Sequence, residues 1–137
     1  MAVLVFDSEA LSALARPRVD AQRHQRVRAA MRSAHSRNYP LRVPSAILVE
    51  LCRGRGSDEA IDHLLGQGVA RVVTTGVRIA RIAGHILATH GQGSEYAVDA
   101  LVVATAVRLG GGLIVTHDPD DLARLASGFN NVAVAGV

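Results

Sequence analysis

The chain has 137 residues, of which 49% are hydrophobic and 20% charged, with a formal net charge of +3 at neutral pH. This length and composition exclude a disordered chain and predict a single globular domain over residues 1–137. One cysteine excludes a disulfide framework within the chain, and the 15 basic residues are all arginine, which excludes a P-loop because that motif needs a lysine. The apolar start at residues 1–6 is too short for a signal peptide, and no apolar run reaches membrane-spanning length. We therefore expect a cytoplasmic protein without a membrane partner.

Short apolar runs alternate with longer helical patterns along the chain. The runs of strand length are residues 2–6, 41–43, 69–73, 113–115 and 132–134. The helical patterns between them cover residues 8–37 with a break at Pro17, 45–53, 57–65, 75–90, 95–109 and 119–126. Gly54 and Gly56 are predicted to end one helix, and Ser57 to cap the next. The alternation predicts an α/β fold, a three-layer α/β/α sandwich around a mostly parallel sheet of four to five strands. Ligands bind outside the carboxyl ends of such strands.

Four carboxylates stand in apolar helical segments or directly after a predicted strand. Asp7 and Asp118 follow strands, whereas Glu50 and Asp99 lie in apolar helical segments. Burying an ionised carboxylate costs free energy unless it is paired or binds a metal. Each acid also has a simpler explanation: Asp7 and Asp118 as helix caps, Glu50 as an exposed residue, and Asp99 as the partner of an arginine. One site for a hard divalent cation accounts for all four, because Mg²⁺ and Mn²⁺ prefer oxygen ligands.

The segments that carry these acids occur in the order of a known family. They are VLVFDSEAL, PSAILVEL, AVDALVVATAV and VTHDPDDL. The sequence resembles PIN-domain ribonucleases over essentially its whole length, and specifically VapC-type toxins of type II toxin-antitoxin pairs. Asp7, Glu50, Asp99 and Asp118 match the family's four acidic positions. Thr116 matches its hydroxyl residue two places before the last acid.

The resemblance implies a Mg²⁺-dependent endoribonuclease, with Mn²⁺ as the other candidate ion, that cleaves RNA as a toxin. It also implies a cognate antitoxin protein as partner and a homodimer. In this interpretation Asp7, Asp99 and Asp118 ligate the metal, Glu50 ligates it or orients a metal-bound water, and Thr116 belongs to the catalytic set. Two alternatives stay open. One is a metal-dependent phosphatase or DNA nuclease using the same acids, and the other is a non-catalytic PIN-like module that binds RNA or a protein.

The residues outside the acidic set have less specific interpretations. Seven arginines stand between residues 16 and 37, and this segment is either a surface for RNA or a solvated helix face. Four leucines either offer a groove to an antitoxin segment or belong to the core: Leu11, Leu14, Leu48 and Leu51. The remaining residues are interpreted as structural: Glu9 as a helix start, Cys52 as a buried apolar residue, His117 at a strand end, and Asp120 and Asp121 as cap residues.

Overall fold

The computed structural model describes residues 2–137, and its strands form one sheet in which every neighbouring pair is parallel. The strands are β1 (Val3–Phe6), β2 (Leu41–Pro44), β3 (Arg71–Val73), β4 (Gly112–Thr116) and β5 (Val132–Gly136). Their order across the sheet is β3-β2-β1-β4-β5. The predicted α/β class and the upper predicted strand number are confirmed. The sheet of the described residues is wholly parallel, rather than mostly so.

Helices cover both faces of this sheet. They are α1 (Ser8–Ala15), α2 (Ala21–Ser36), α3 (Leu48–Leu51), α4 (Arg55–Gly66), α5 (Val77–Thr89), α6 (Ala97–Arg108) and α7 (Pro119–Ala126). Right-handed crossovers place α1, α2 and α4 on one face and α5, α6 and α7 on the other. The helix packing agrees, since α1 contacts α2 and α4, and α6 contacts α5 and α7. Within residues 2–137, no helix is both long enough and apolar enough to cross a bilayer.

The segment between β2 and α4 differs from the predicted helices. Instead of one helix over residues 45–53, the chain forms a single 3₁₀ turn followed by the four-residue α3. Gly54 does not end a helix but precedes α4 at the N-cap position, with a φ of +135° that favours glycine. Ser57 therefore lies inside α4, where its hydroxyl bonds backbone groups just before the helix. Cys52 is exposed, so its interpretation as a buried residue is wrong.

The core is built on β1 and α6. All four residues of β1 are buried, as expected for a central parallel strand covered on both faces. Helix α6 is apolar on nearly every side and buries Val102, Val103, Ala104 and Ala106 completely. Because the chain moves from β1 to β2 in one direction and reaches β4 in the other, the order reverses between β1 and β4. The carboxyl ends of these two strands form the crevice where such sheets bind ligands.

Gly112 marks the point where β4 enters the sheet beside β1. Its φ is +148°, and a Cβ atom built on it would overlap the backbone of Val3. We expect Gly112→Ala to lower the free energy of unfolding by about 3 kcal/mol or more, since neither backbone can move without breaking the β1–β4 pairing. Urea unfolding followed by circular dichroism measures this loss.

Gly84→Ala is the matched control, because this exposed glycine lies inside α5 and a Cβ there meets no described atom within 4 Å. It should raise the free energy of unfolding by about 0.5–1 kcal/mol. Similar effects for the two variants would contradict the steric argument.

Candidate acidic active site

Asp7 ends the central strand and begins α1. Its side chain is buried, with only 7% of the residue exposed. One carboxylate oxygen accepts the Ala10 backbone N–H at 2.9 Å and caps α1, and the other accepts the Thr116 hydroxyl at 2.5 Å. Burial raises the pKa of Asp7, and these two hydrogen bonds oppose the rise because they favour the ionised form. The helix-cap explanation therefore accounts for only one of the two carboxylate oxygens of Asp7.

Thr116 joins Asp7 to the segment that follows β4. Its side chain is fully buried, and its hydroxyl oxygen also accepts the Asp118 backbone N–H at 2.9 Å. Asp118 occupies the N-cap position of α7, but its side chain makes no capping hydrogen bond with the described residues. The cap explanation thus fails for the exposed carboxylate of Asp118.

Asp99 lies in the first turn of the apolar helix α6 and is half-buried. Its pKa is raised to about 6, first by burial and then by the negative charges of Asp7, Asp121, Glu50 and Asp118. None of these causes is a neighbouring cation. Pairing with an arginine therefore does not explain why this carboxylate lies in the apolar helix.

The four predicted acids thus share one electrostatic neighbourhood at the carboxyl edge of the sheet, although they come from four separate segments. Glu50 contributes from the short helix α3, where it is exposed. Among residues 2–137, no three His, Cys, Asp or Glu side chains stand in a geometry that already holds an ion. The ligand roles assigned to Asp7, Glu50, Asp99 and Asp118, and the catalytic role of Thr116, therefore stay predictions. The acidic site below means these five residues.

The chemistry of these donors fits a hard divalent cation. Carboxylate and hydroxyl oxygens are the ligands that Mg²⁺ and Mn²⁺ prefer. A nearby dication would offset both the free-energy cost of burying ionised Asp99 and its repulsion by the surrounding carboxylates. The chemistry of the donors therefore fits such an ion, and Asp7, Asp99, Asp118 and Glu50 stay its predicted ligands.

Two further side chains lie near the acidic site although the sequence did not predict them as part of it: Asp121, interpreted as a cap residue, and Arg23. Asp121 is the second negative charge that raises the pKa of Asp99, and it pairs with Arg124 at 3.2 Å on α7. Arg23, from α2, lies 2.9 Å from the His117 ring. The position of Asp121, one helical turn after Asp118, indicates from the sequence that it lies near the acidic site. Nothing in the sequence separates Arg23 from the other arginines of its segment.

Comparison with known proteins identifies the family. Residues 4–128 match the model of the PIN domain, so the chain belongs to the PIN-domain family. This confirms the resemblance stated from the four acidic segments. No curated protein matches the chain.

Two solved structures share its fold. One is VapBC2 from Rickettsia felis bound to a DNA fragment from their promoter, at 12% identity and a TM-score of 0.64, covering 98% of this chain and 98% of that one. The other is DNA-bound VapBC from Salmonella typhimurium, at 16% identity and a TM-score of 0.64, covering 99% of this chain and 98% of that one. At these identities the likeness concerns the fold alone.

The raised pKa of Asp99 predicts a pH-dependent effect on stability in the metal-free protein. Its folded-state pKa of about 6 exceeds the ordinary value of 3.8, so the folded state binds this proton more tightly than the unfolded chain does. Ionisation therefore destabilises the fold increasingly between about pH 4 and pH 6, and the full penalty persists above that range. We expect Asp99→Asn to stabilise the protein by about 1–2 kcal/mol near neutral pH, after allowance for solvent screening of a half-buried group.

The stabilisation by Asp99→Asn should vanish at about pH 4, where the carboxyl of Asp99 is protonated in the folded protein. Denaturant unfolding in EDTA at both pH values measures the difference. Asp62→Asn, an exposed carboxylate on α4, is the control for the loss of one negative charge. A stabilisation by Asp99→Asn that stays constant with pH would show that burial of the charge is not its cause.

Proposed function

We propose that this PIN-domain protein is a divalent-metal-dependent endoribonuclease and the toxin of a toxin-antitoxin pair. The observation that carries the proposal is Asp99, a half-buried acid with a pKa raised to about 6 by burial and by surrounding carboxylates. A module that only binds RNA gains nothing from concentrating carboxylates where a polyanion approaches. An enzyme that recruits divalent ions to a phosphodiester does gain from them. The PIN-domain family is one of nucleases, which supports the same conclusion.

Mg²⁺ or Mn²⁺ is the ion that Asp7, Asp99 and Asp118 would hold, with Glu50 as a further ligand or as the group that orients a water. When bound, such an ion activates water for attack on phosphorus and neutralises charge on the phosphate oxygens. The hydroxyl of Thr116 orients one oxygen of Asp7 and anchors the backbone of Asp118. Asp99 must be ionised to contribute its charge, which its pKa of about 6 allows at neutral pH.

The purified protein, freed of any partner, should cut structured RNAs in Mg²⁺ or Mn²⁺ and stop in EDTA. Asp99→Asn should lower the cleavage rate by about 100-fold, because it removes a charged oxygen from the proposed metal site. Asp62→Asn, on the exposed face of α4, should cut like the wild type.

The substrate panel separates the alternatives. Cleavage of DNA but not RNA would favour a DNA nuclease, and phosphate release from a monoester alone would favour a phosphatase. Binding of RNA without any cleavage, or equal cleavage by Asp99→Asn, would sink the endoribonuclease proposal.

The partner of this toxin is an antitoxin whose segment occupies a groove beside the end of α1. The groove has a volume of about 580 Å³ and is formed by α1, α2, α4 and the loops beside them. Its apolar lining includes Leu14, Met31, Leu64 and Val69, and its basic side chains are Arg28 and Arg32. An amphipathic segment with acidic residues beside its apolar face complements this lining. The VapBC complexes among the structural neighbours support an antitoxin as the occupant.

The four leucines considered for this role divide between the groove and the core. Leu14 lines the groove. Leu11 is completely buried in the core, and Leu48 and Leu51 are partly buried against it. A homodimer is the assembly proposed on the resemblance to VapC-type toxins, and light scattering of the purified protein tests it.

Co-expression with any small protein encoded beside this chain tests the partner. The two should copurify, and Met31→Glu should weaken the complex at least about tenfold because it places a charge on the apolar lining and repels an acidic segment. Gln25→Glu adds the same charge on the same helix at an exposed residue outside the groove, and should leave affinity unchanged. Failure to copurify, together with a chain that is harmless when expressed alone, would contradict the toxin-antitoxin assignment.

A further inference from the structure

Arg23 is the residue of the arginine-rich segment that contacts the edge of the acidic site. Its Nη2 atom lies 2.9 Å from Nε2 of His117, which is 94 residues away in the chain and stands between Thr116 and Asp118. Its Nη1 atom lies 3.7 Å from the carboxylate of Glu9, near the start of α1. One guanidinium therefore bridges the starts of α1 and α2 and the segment that follows β4.

One buried donor of this guanidinium lacks a hydrogen-bond partner within residues 2–137. Its Nε atom is buried and has no hydrogen-bond partner among the described residues. The Asp20 carboxylate, one turn earlier, lies 3.8 Å from that atom, and the Glu9 contact is also longer than a hydrogen bond. A buried, unpaired donor is rare in folded proteins and calls for an explanation. Of the three contacts of this guanidinium, with His117, Glu9 and Asp20, the one with His117 is within hydrogen-bond distance.

The contact also fixes the state of the His117 ring. A guanidinium can only donate, so Nε2 of His117 must accept, and Nδ1 carries the proton. Nδ1 then donates to the backbone oxygen of Val137 at 3.3 Å. The Val137 backbone N–H in turn donates to the Thr116 carbonyl at 2.9 Å. The ring is thus held at both nitrogens, and the segment Thr116–Asp118 is braced through its middle residue.

We propose that Arg23 is a positioning residue which, through His117, holds the segment Thr116–Asp118 in the conformation that presents the acidic site to a divalent cation. This inference rests on the proposed metal site. It gives Arg23 a role different from that of an RNA-binding arginine, because its guanidinium contacts the His117 ring and its side chain is only 22% exposed. Outer partners that orient metal ligands typically change metal affinity by 10–100-fold when removed.

The test measures Mn²⁺ affinity by electron paramagnetic resonance and, separately, RNA cleavage. Arg23→Met keeps most of the apolar stem but removes every donor, and should weaken Mn²⁺ binding about tenfold. It should lower kcat by a similar factor and leave KM for RNA within about twofold. Arg23→Lys should bind Mn²⁺ nearly as weakly as Arg23→Met, because a point charge cannot replace the planar guanidinium between these contacts.

Variants of His117 test the same contact from its exposed side, where loss of the fold is not a concern. His117→Ala should weaken Mn²⁺ binding as much as Arg23→Met does. His117→Gln keeps an acceptor for the guanidinium and should therefore lose less Mn²⁺ affinity. The double variant Arg23→Met/His117→Ala should be no weaker than the weaker single variant, because both remove one interaction. Arg26→Met, an exposed arginine on the same helix, controls for the loss of positive charge and should leave Mn²⁺ affinity unchanged.

The outcomes separate this inference from the proposed function. A raised KM for RNA with unchanged Mn²⁺ affinity in Arg23→Met would make Arg23 an RNA contact and overturn the proposal. Additive effects in the double variant, or wild-type Mn²⁺ affinity in all variants, would also overturn it, while cleavage by the wild type would still support the nuclease. The expected pattern of Mn²⁺ affinities without any RNA cleavage would uphold the inference and refute the ribonuclease. A wild type that binds no Mn²⁺ would overturn the inference together with the metal site.

Discussion

The hydrogen bond from the Thr116 hydroxyl to the Asp7 carboxylate links the ends of β1 and β4 at the position where the strand order of the sheet reverses. Both groups are buried, so the bond forms where water cannot compete and where an unpaired carboxylate oxygen would be unfavourable. The same hydroxyl accepts the backbone N–H of Asp118. One small side chain therefore sets the positions of two of the four acids. Asp99 and Glu50 reach the same neighbourhood from α6 and α3.

The acidic site works against the stability of the fold that carries it. The apolar helix α6 and the strand β1 are largely buried in the core, yet Asp99 in α6 and Asp7 directly after β1 place carboxylates at the same edge of the sheet. Burial and mutual repulsion raise the pKa of Asp99, so the charged state at neutral pH is maintained at the expense of stability. Conflicts of this kind between local preference and overall fold are expected at functional sites. The conflict is thus a stronger indication of function than the presence of four acids in the sequence.

The sequence predicted the features that depend on neighbouring residues and missed those that depend on packing. The strands and the positions of Asp7 and Asp118 at strand ends followed from apolar runs and their boundaries. The segment around Gly54 was predicted wrongly because glycine ends helices and also precedes them, and only its φ of +135° shows which applies. The contact between Arg23 and His117 spans 94 residues, and no local pattern reports such a pairing. That the four acids share one site was predicted from their apolar surroundings and the family resemblance, and their mutual repulsion at Asp99 agrees with it.

Helix α2 connects the two surfaces on which the proposed function depends. Near its first turn it carries Arg23, which braces the segment bearing Asp118, and further along it lines the groove with Arg28 and Met31. An α-helix keeps its geometry over a few turns, so the placement of Arg23 and the shape of the groove cannot vary independently. The proposed partner in the groove would contact the same helix that carries Arg23. The sequence of α2 must therefore satisfy both surfaces at once, and its arginines divide between them, with Arg23 against His117 and Arg28 and Arg32 in the lining of the groove.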